Sequence, residues 1–279
     1  MCTIGWVRVE GTTHVFKQCD LTQKTKFLEP DIAEGIAGRY LAFRREGRPG
    51  IWSGVNQRGV GFVAADYYTE QDPGSPDTPP SLCARTSSHV GESSPVDALF
   101  RAYEASIADH GTSADAIAYL SNWYLTQGDP GNPDPSFKSP DIVLIADPTQ
   151  AIFLEYYPGD RPGTAKVLTL SPRQGWFVST NHARMFQQTV KYSQNHSTYL
   201  RLARAEAILD RQPSIEAIKA VLRDQYYGET ELSICRIAGQ PGQYFTQATF
   251  IGTAANGSVS ADYLLNGNPR TKSYETKRL

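Results

Sequence analysis

The sequence predicts an α+β fold, with helices packed on antiparallel sheets. Two observations lead there. β-rich and amphipathic stretches come in blocks, in the order strands, two helices, strands, two helices, strands; a parallel sheet would need alternating βαβ units instead. Gln57-Arg58-Gly59 also separates two β-rich runs, with a glycine free to take positive φ, which marks an antiparallel hairpin. No internal repeat and no shift in composition divides the chain, so residues 2–279 are expected to form a single domain.

Taken in order, Cys2 to Val9 and His14 to Lys17 read as strands around the turn signal Gly11-Thr12-Thr13. Ile51 to Asn56 and Val60 to Ala65 form the hairpin. The prolines between Thr69 and Pro80 predict an exposed loop. Ser94-Pro95 caps a helix whose apolar stripe is Val96, Leu99, Phe100, Tyr103 and Ile107. A second helix begins near Thr112-Ser113 and turns Ala116, Ile117, Leu120 and Trp123 inward. Another Pro/Gly/Asp loop runs from Gln127 to Pro140. Strands follow at Ile142 to Ala146, Ala151 to Tyr157, Lys166 to Ser171 and Gly175 to Thr180. Asn195-His196 reads as the cap of a helix over Ser197 to Asp210, and Ser214 as the cap of one running to Tyr226. The last strands are Leu232 to Ile237, Tyr244 to Ala254 and Ser258 to Leu265.

Composition narrows the function. With 40% hydrophobic and 20% charged residues, the 279-residue chain is globular and not disordered. A formal net charge of -2 leaves no electrostatic footprint for nucleic acid. No apolar run reaches the roughly 20 residues of a membrane helix. The start, Met-Cys-Thr-Ile-Gly-Trp, lacks the basic and apolar regions of a signal peptide, so the expected compartment is the cytoplasm. His14, His89, His110, His182 and His196 show no metal-ligand spacing, nor do the four cysteines, so neither metal nor cofactor is expected.

Cys2 is the sharpest feature. A free thiol has a pKa near 8.5, and a nucleophilic cysteine needs a base to make thiolate. Removal of Met1 would give Cys2 its own base, an α-amine with a pKa of about 7.7–8.0. Cys2-Thr3 opens a strand, and Phe16-Lys17-Gln18-Cys19-Asp20 follows, with Asp20 eighteen residues after Cys2. There Asp20 could hold the amine and Lys17 could favour the thiolate.

These residues resemble the cysteine-type N-terminal-nucleophile hydrolases, the group of choloylglycine hydrolases, penicillin acylases and penicillin acyltransferase-like proteins. Phe16 to Asp20 is similar to that family's F-G-R-N-x-D segment, with Lys17 in place of its Arg. Val55-Asn56-Gln57-Arg58-Gly59-Val60 resembles M-N-E-K-G-L, and Asp66 falls where choloylglycine hydrolases carry an oxyanion Asn. Ala116-Ile117, Asp141 to Pro148, Leu154-Glu155, Thr180-Asn181-His182, Ser233-Ile234-Cys235-Arg236 and Gly267-Asn268-Pro269 continue the likeness in family order. The resemblance implies a four-layer αββα sandwich of two antiparallel sheets between helical layers. It implies attack by the Cys2 thiolate on a linear amide or acyl thioester, an acyl-enzyme, and transfer to water or an amine. Cys2, Asp20, Lys17, Asn181 and Arg236 would be catalytic, with Asn181 donating to the oxyanion. Asp66, Tyr67 and His182 would meet the substrate.

Asp66 exchanges a donor for an acceptor, and Lys17 keeps the charge of Arg without its fork. The implied partner is a small acyl amide or peptide-like molecule, with no nucleic acid and no membrane; a homo-oligomer is left open. Tyr67 and Tyr68 at one loop and Trp123 and Tyr124 at the other would favour an apolar or aromatic acyl group. Two alternatives stand beside this reading: an internal Cys83–His182 thiol pair, and a small-ligand-binding protein that kept the fold without the activity.

Overall fold

A computed structural model describes residues 1–66, 95–127, 140–159, 163–186, 194–237, 242–255 and 257–279. The first half holds strands β1 (Cys2–Val9), β2 (Thr12–Leu21), β3 (Asp31–Gly35), β4 (Gly38–Phe43), β5 (Ser53–Asn56) and β6 (Gly61–Asp66). Helices α1 (Pro95–Ala108) and α2 (Ser113–Gln127) follow, then β7 (Asp141–Ala146), β8 (Ala151–Tyr157), β9 (Lys166–Leu170) and β10 (Trp176–Ser179). Helices α3 (Ser197–Leu209) and α4 (Ile215–Leu222) precede β11 (Phe245–Ala255), β12 (Ser258–Leu265) and β13 (Glu275–Arg278).

The strands form two antiparallel sheets. One has the order β10-β1-β2-β11-β12-β13, the other β3-β4-β5-β6-β7-β8-β9. Helices α1 and α2 pack on the outer face of the second sheet, and α3 and α4 on the outer face of the first. The result is the αββα sandwich. Strand alternation builds its layers. Ile4 and Trp6 of β1, Val15 of β2 and Phe250 of β11 face the other sheet, where Phe43, Trp52 and Phe62 meet them. Val7, Phe16 and Ile251, on the opposite face of the same strands, pack against Leu202, Leu209 and Ile218 of α3 and α4.

Local chemistry explains most boundaries. Glu10 and Gly11, both at positive φ, make the β1–β2 turn, so β2 already begins at Thr12. Gly59, at φ +82, closes the β5–β6 hairpin. Ser214 caps α4 by accepting from Ala217 N at 3.1 Å, and His196 caps α3 through Thr198 N at 3.3 Å. Leu99, Phe100, Tyr103 and Ile107 are buried as α1 requires; in α2 it is Tyr124 that is fully buried, while Trp123 is half-exposed.

Three expectations change. Leu232 to Ile237 is not a strand: Ser233 N donates to Thr230 O and Cys235 N to Asp224 O, so its donors go to turns rather than a ladder. Helix α4 stops at Leu222, well before Tyr226. Strands β3, β4 and β13 were not expected; β3 and β13 carry mostly exposed or half-exposed side chains and so lack the apolar alternation of a half-buried strand. The Ser94 cap, the loop prolines from Thr69 to Pro80 and most of the 127–140 loop lie outside the described residues. Among the described residues, no helix is long and apolar enough to cross a membrane.

Candidate active site

Cys2 opens β1, fully buried, with β10 on one side and β2 on the other. Its partner across β2 is Cys19, and Lys17 lies two residues along on the same face. The Cys2 and Lys17 side chains therefore share the inter-sheet face. Met1 and Asp20 point the other way, toward α3. The end of one strand thus separates the thiol side of the site from a polar side beneath it.

On the polar side two buried guanidiniums converge. Arg201 of α3 donates to Cys2 O at 2.8 Å, to Thr3 Oγ1 at 3.1 Å and to Asn181 Oδ1 at 2.8 Å. Arg236, from the 231–237 coil, donates to Ser197 Oγ at 2.7 Å and lies 3.6 Å from the Asp20 carboxylate. Both touch the Met1 thioether sulfur, at 3.6 and 3.4 Å. The Met1 amine donates to the Asp20 main-chain carbonyl at 2.8 Å, while Thr246 Oγ1 donates to the Asp20 carboxylate at 2.7 Å. Burial raises the Asp20 pKa; Arg236, the N-terminal charge, Arg201 and the Thr246 hydroxyl pull against it. Asp20 Oδ2 is left without a hydrogen-bond partner.

Asn181 joins the two sides. Its Oδ1 accepts the Cys2 main-chain N–H at 3.0 Å, and its Nδ2 donates to the main-chain carbonyl of Asp66 at 2.6 Å. Arginine is donor-only, so the atom facing Arg201 must be the oxygen. One N–H of the Asn181 amide goes to the Asp66 carbonyl, and a primary amide carries two such donors. Asn181 itself is held from α3: Thr198 Oγ1 accepts its main-chain N–H at 3.0 Å and also pairs with His182 Nδ1 at 2.9 Å and Thr180 Oγ1 at 2.8 Å. His182 is thus engaged within the turn, and burial pushes its pKa down to about 3. The chain just beyond is clamped by Glu155, whose buried carboxylate accepts the N–H groups of Arg184, Met185 and Phe186.

On the thiol side, Lys17 is buried, donates to Trp52 O at 3.3 Å and sits 5.6 Å from the centre of the Trp52 ring. Lys17 and Trp52 line a small cavity with Asp66, Phe100, Tyr103 and Asp141. Asp66 and Asp141 are cross-strand partners on β6 and β7. Asp141 accepts the hydroxyls of Tyr103 and Tyr124 and its neighbour Ile142 N at 2.9 Å. Burial raises it to about 7 against those hydrogen bonds, and the charge of Asp66 adds to the rise.

The structure brings Cys2, Asp20, Asn181 and Arg236 into one network, sets Lys17 on the thiol's face, and ties Asp66 to Asn181 through its main chain. Tyr67, Tyr68 and Cys83 lie outside the described residues. Arg201 and Asp141 had not been singled out. Arg201 carries a signal in retrospect: it falls with Thr198, Leu202, Ala205 and Leu209 on the inward stripe of α3, a cation where the period demands an apolar residue.

No protein-family model matches the chain, and no curated protein matches it. Solved structures do. Penicillin V acylase from Agrobacterium tumefaciens is 14% identical, with a TM-score of 0.52, over 95% of this chain and 83% of that one. The N-acylethanolamine-hydrolyzing acid amidase orthologue of Caenorhabditis elegans is 12% identical, with a TM-score of 0.51, over 90% and 92%. A variant of the conjugated bile acid hydrolase from Clostridium perfringens is 12% identical, with a TM-score of 0.50, over 100% and 96%. Two facing antiparallel sheets between helical pairs, with a cysteine opening the first central strand, give this chain the fold of the N-terminal-nucleophile hydrolases.

Proposed function

We propose that this chain is a cysteine amidohydrolase, cleaving a linear acyl amide through an acyl-enzyme on Cys2, with an amine able to replace water as acceptor. The observation that carries the reading is the position of the Cys2 nitrogen. It is held at 3.0 Å by Asn181 Oδ1, on an acceptor that Arg201 fixes from a second direction. Excision of Met1 turns that nitrogen into a primary amine already oriented beside its own thiol. Asp20 Oδ2, buried and ion-paired with Arg236 Nε at 3.6 Å without a hydrogen bond, supplies a second acceptor on the N-terminal side.

The amine, with a pKa of about 7.7–8.0, takes the thiol proton near neutrality. The thiolate attacks the amide carbon, and the resulting ammonium returns the proton to the leaving amine. Water, deprotonated by the same amine, then releases the acid. Lys17, on the thiol's face, favours the thiolate. Arg236 holds Asp20, and Arg201 holds Asn181 and the Cys2 carbonyl. Asp66 sits where a substrate group can meet its carboxylate beside the Lys17 cavity. The fold neighbours are named as a penicillin acylase, a conjugated bile acid hydrolase and an N-acylethanolamine-hydrolyzing amidase, which supports amide cleavage as the general chemistry.

The test is product release from penicillin V, a conjugated bile acid and an N-acylethanolamine, with Met1 excision followed by intact mass. Turnover of at least one by the Met1-free chain, and none by Cys2→Ala, is expected. Undiminished turnover in Cys2→Ala overturns the reading.

A further inference from the structure

The strand register sets a second thiol opposite the nucleophile. Cys2 and Cys19 are partners across β1 and β2, both buried and both in the cluster between the sheets. The kind of pair follows from its neighbours. Met1 N donates to Asp20 O at 2.8 Å, and Asp20 N to Met1 O at 2.9 Å, so Met1 and Asp20 exchange both ladder bonds. Hydrogen-bonded and non-hydrogen-bonded pairs alternate, which makes Cys2–Cys19 a non-hydrogen-bonded pair. The Cys2 N–H accordingly turns away from β2, to Asn181. Such pairs stand about 4.5 Å apart at Cα, the closest approach in an antiparallel ladder. A disulfide spans roughly 4.4–6.8 Å. Both side chains leave the same face of the sheet, so no strand has to move to join them.

The third described cysteine is not placed this way. Cys235 lies in the 231–237 coil, 4.0 Å from Asn268 Oδ1, and burial pushes its thiol up to about 12.

We propose that Cys19 is the resolving thiol of a peroxide-responsive switch on Cys2. The Cys2 thiolate attacks one oxygen of hydrogen peroxide. The O–O bond breaks, the other oxygen leaves as hydroxide and is protonated to water, and Cys2 becomes a sulfenic acid. The Cys19 sulfur then attacks Cys2 Sγ. The S–S bond forms, the S–O bond breaks, and hydroxide leaves with the Cys19 proton as a second water. Two thiols and one peroxide give one disulfide and two waters; both sulfurs are oxidised by one electron each and the peroxide oxygens are reduced. The disulfide removes the thiolate from amide chemistry and shields Cys2 from sulfinic and sulfonic acids, which thiol reductants do not reverse. A dithiol restores both thiols by exchange. The pairing rests on register alone; its effect on turnover rests on the nucleophile role proposed above.

The test treats the purified chain with stoichiometric hydrogen peroxide, then maps non-reduced peptides by mass. Expected is a loss of two hydrogens, a Cys2–Cys19 linked peptide, and activity lost in step with the link and returned by dithiothreitol. In Cys19→Ala a several-fold excess of hydrogen peroxide should add two or three oxygens to Cys2, with activity that dithiothreitol does not return. Oxidised wild type with an oxygenated Cys2 and no link, or with Cys2 joined to Cys83 or Cys235, overturns the switch. A Cys2–Cys19 link with turnover unchanged overturns the switch together with the nucleophile role, so the two failures are distinguishable.

Discussion

Arg201 and Asp20 show how the polar side of the site sets the chemistry of a single amine. Arg201 reaches Cys2 O and Asn181 Oδ1 through a planar fork, geometry that a lysine ammonium cannot reproduce. Hydrogen bonds to charged groups are worth about 1.5–3 kcal/mol. Arg201→Lys should therefore lower kcat about tenfold to a hundredfold with KM little changed, as steady-state kinetics would read. An equal rise in KM would place Arg201 in ground-state binding instead. Asp20 acts through charge. Its carboxylate is the anion facing Arg236 and the N-terminus, so Asp20→Asn removes the group that favours the protonated amine. A lower amine pKa shifts the acid limb of the kcat/KM profile to lower pH, while loss of the amine's second acceptor lowers the plateau. An unmoved acid limb would show that Asp20 does not act on the amine. Cys2, Asp20 and Asn181 were legible as residues. That Asn181 Oδ1 accepts the Cys2 N–H was not, because which end of an amide faces which neighbour depends on Arg201, twenty residues away on another element.

Among the elements, the turn after β10 depends on its neighbours for its shape. Glu155 of β8 gathers three main-chain N–H groups from residues 184–186, directly after Thr180-Asn181-His182. Glu155→Gln points an NH₂ group at donors. Leaving a buried donor unsatisfied costs about 1–3 kcal/mol. The variant should melt several degrees lower and lose kcat as Asn181 shifts; melting unchanged from wild type would mean that other contacts hold the turn. The opening strand was legible because Ile4 and Trp6 alternate with Val7 on opposite faces. The 231–237 segment was misread because Ile234 and Cys235 supply the composition of a strand while Asp224 and Thr230 take its ladder donors. Composition records what a side chain prefers; here the backbone donors are taken by turns three and eleven residues back along the chain.

For the molecule as a whole, burial of titratable groups sets the acid stability. His14, bonded to Thr253 Oγ1 at 2.9 Å on β11, has its pKa lowered from 6.5 to about 4 by burial, with Asp262 opposing and Lys219 adding. A histidine depressed in the folded state contributes stability above pH 6.5, and that contribution is lost as pH falls toward 4. His14→Gln should flatten the fall of melting temperature across this window. A fall as steep as in wild type would show that His14 is not one of its causes. Asp141 has the opposite sign. Its pKa is raised to about 7, so its contribution is full below the ordinary carboxylate range and is lost as pH rises through 7. Asp141→Asn should narrow the stability difference between mildly acidic and mildly alkaline buffer. Helices packed on antiparallel sheets were legible from block order, and the four layers from the family resemblance. The cavity beside Lys17 was not, because it assembles β2, β6, β7 and α1 around groups far apart in sequence.

As a nucleophile, Cys2 must carry the acyl group during turnover. The most direct measurement of this is the intact mass of the Met1-free chain, quenched in acid during turnover of a panel of acyl amides and thioesters, with the adduct mapped to a peptide. A mass gain equal to one acyl group is expected on the peptide that begins with Cys2, and no gain in Cys2→Ala. An acyl group mapped to any other residue, or turnover by Cys2→Ala at the wild-type rate, would contradict it.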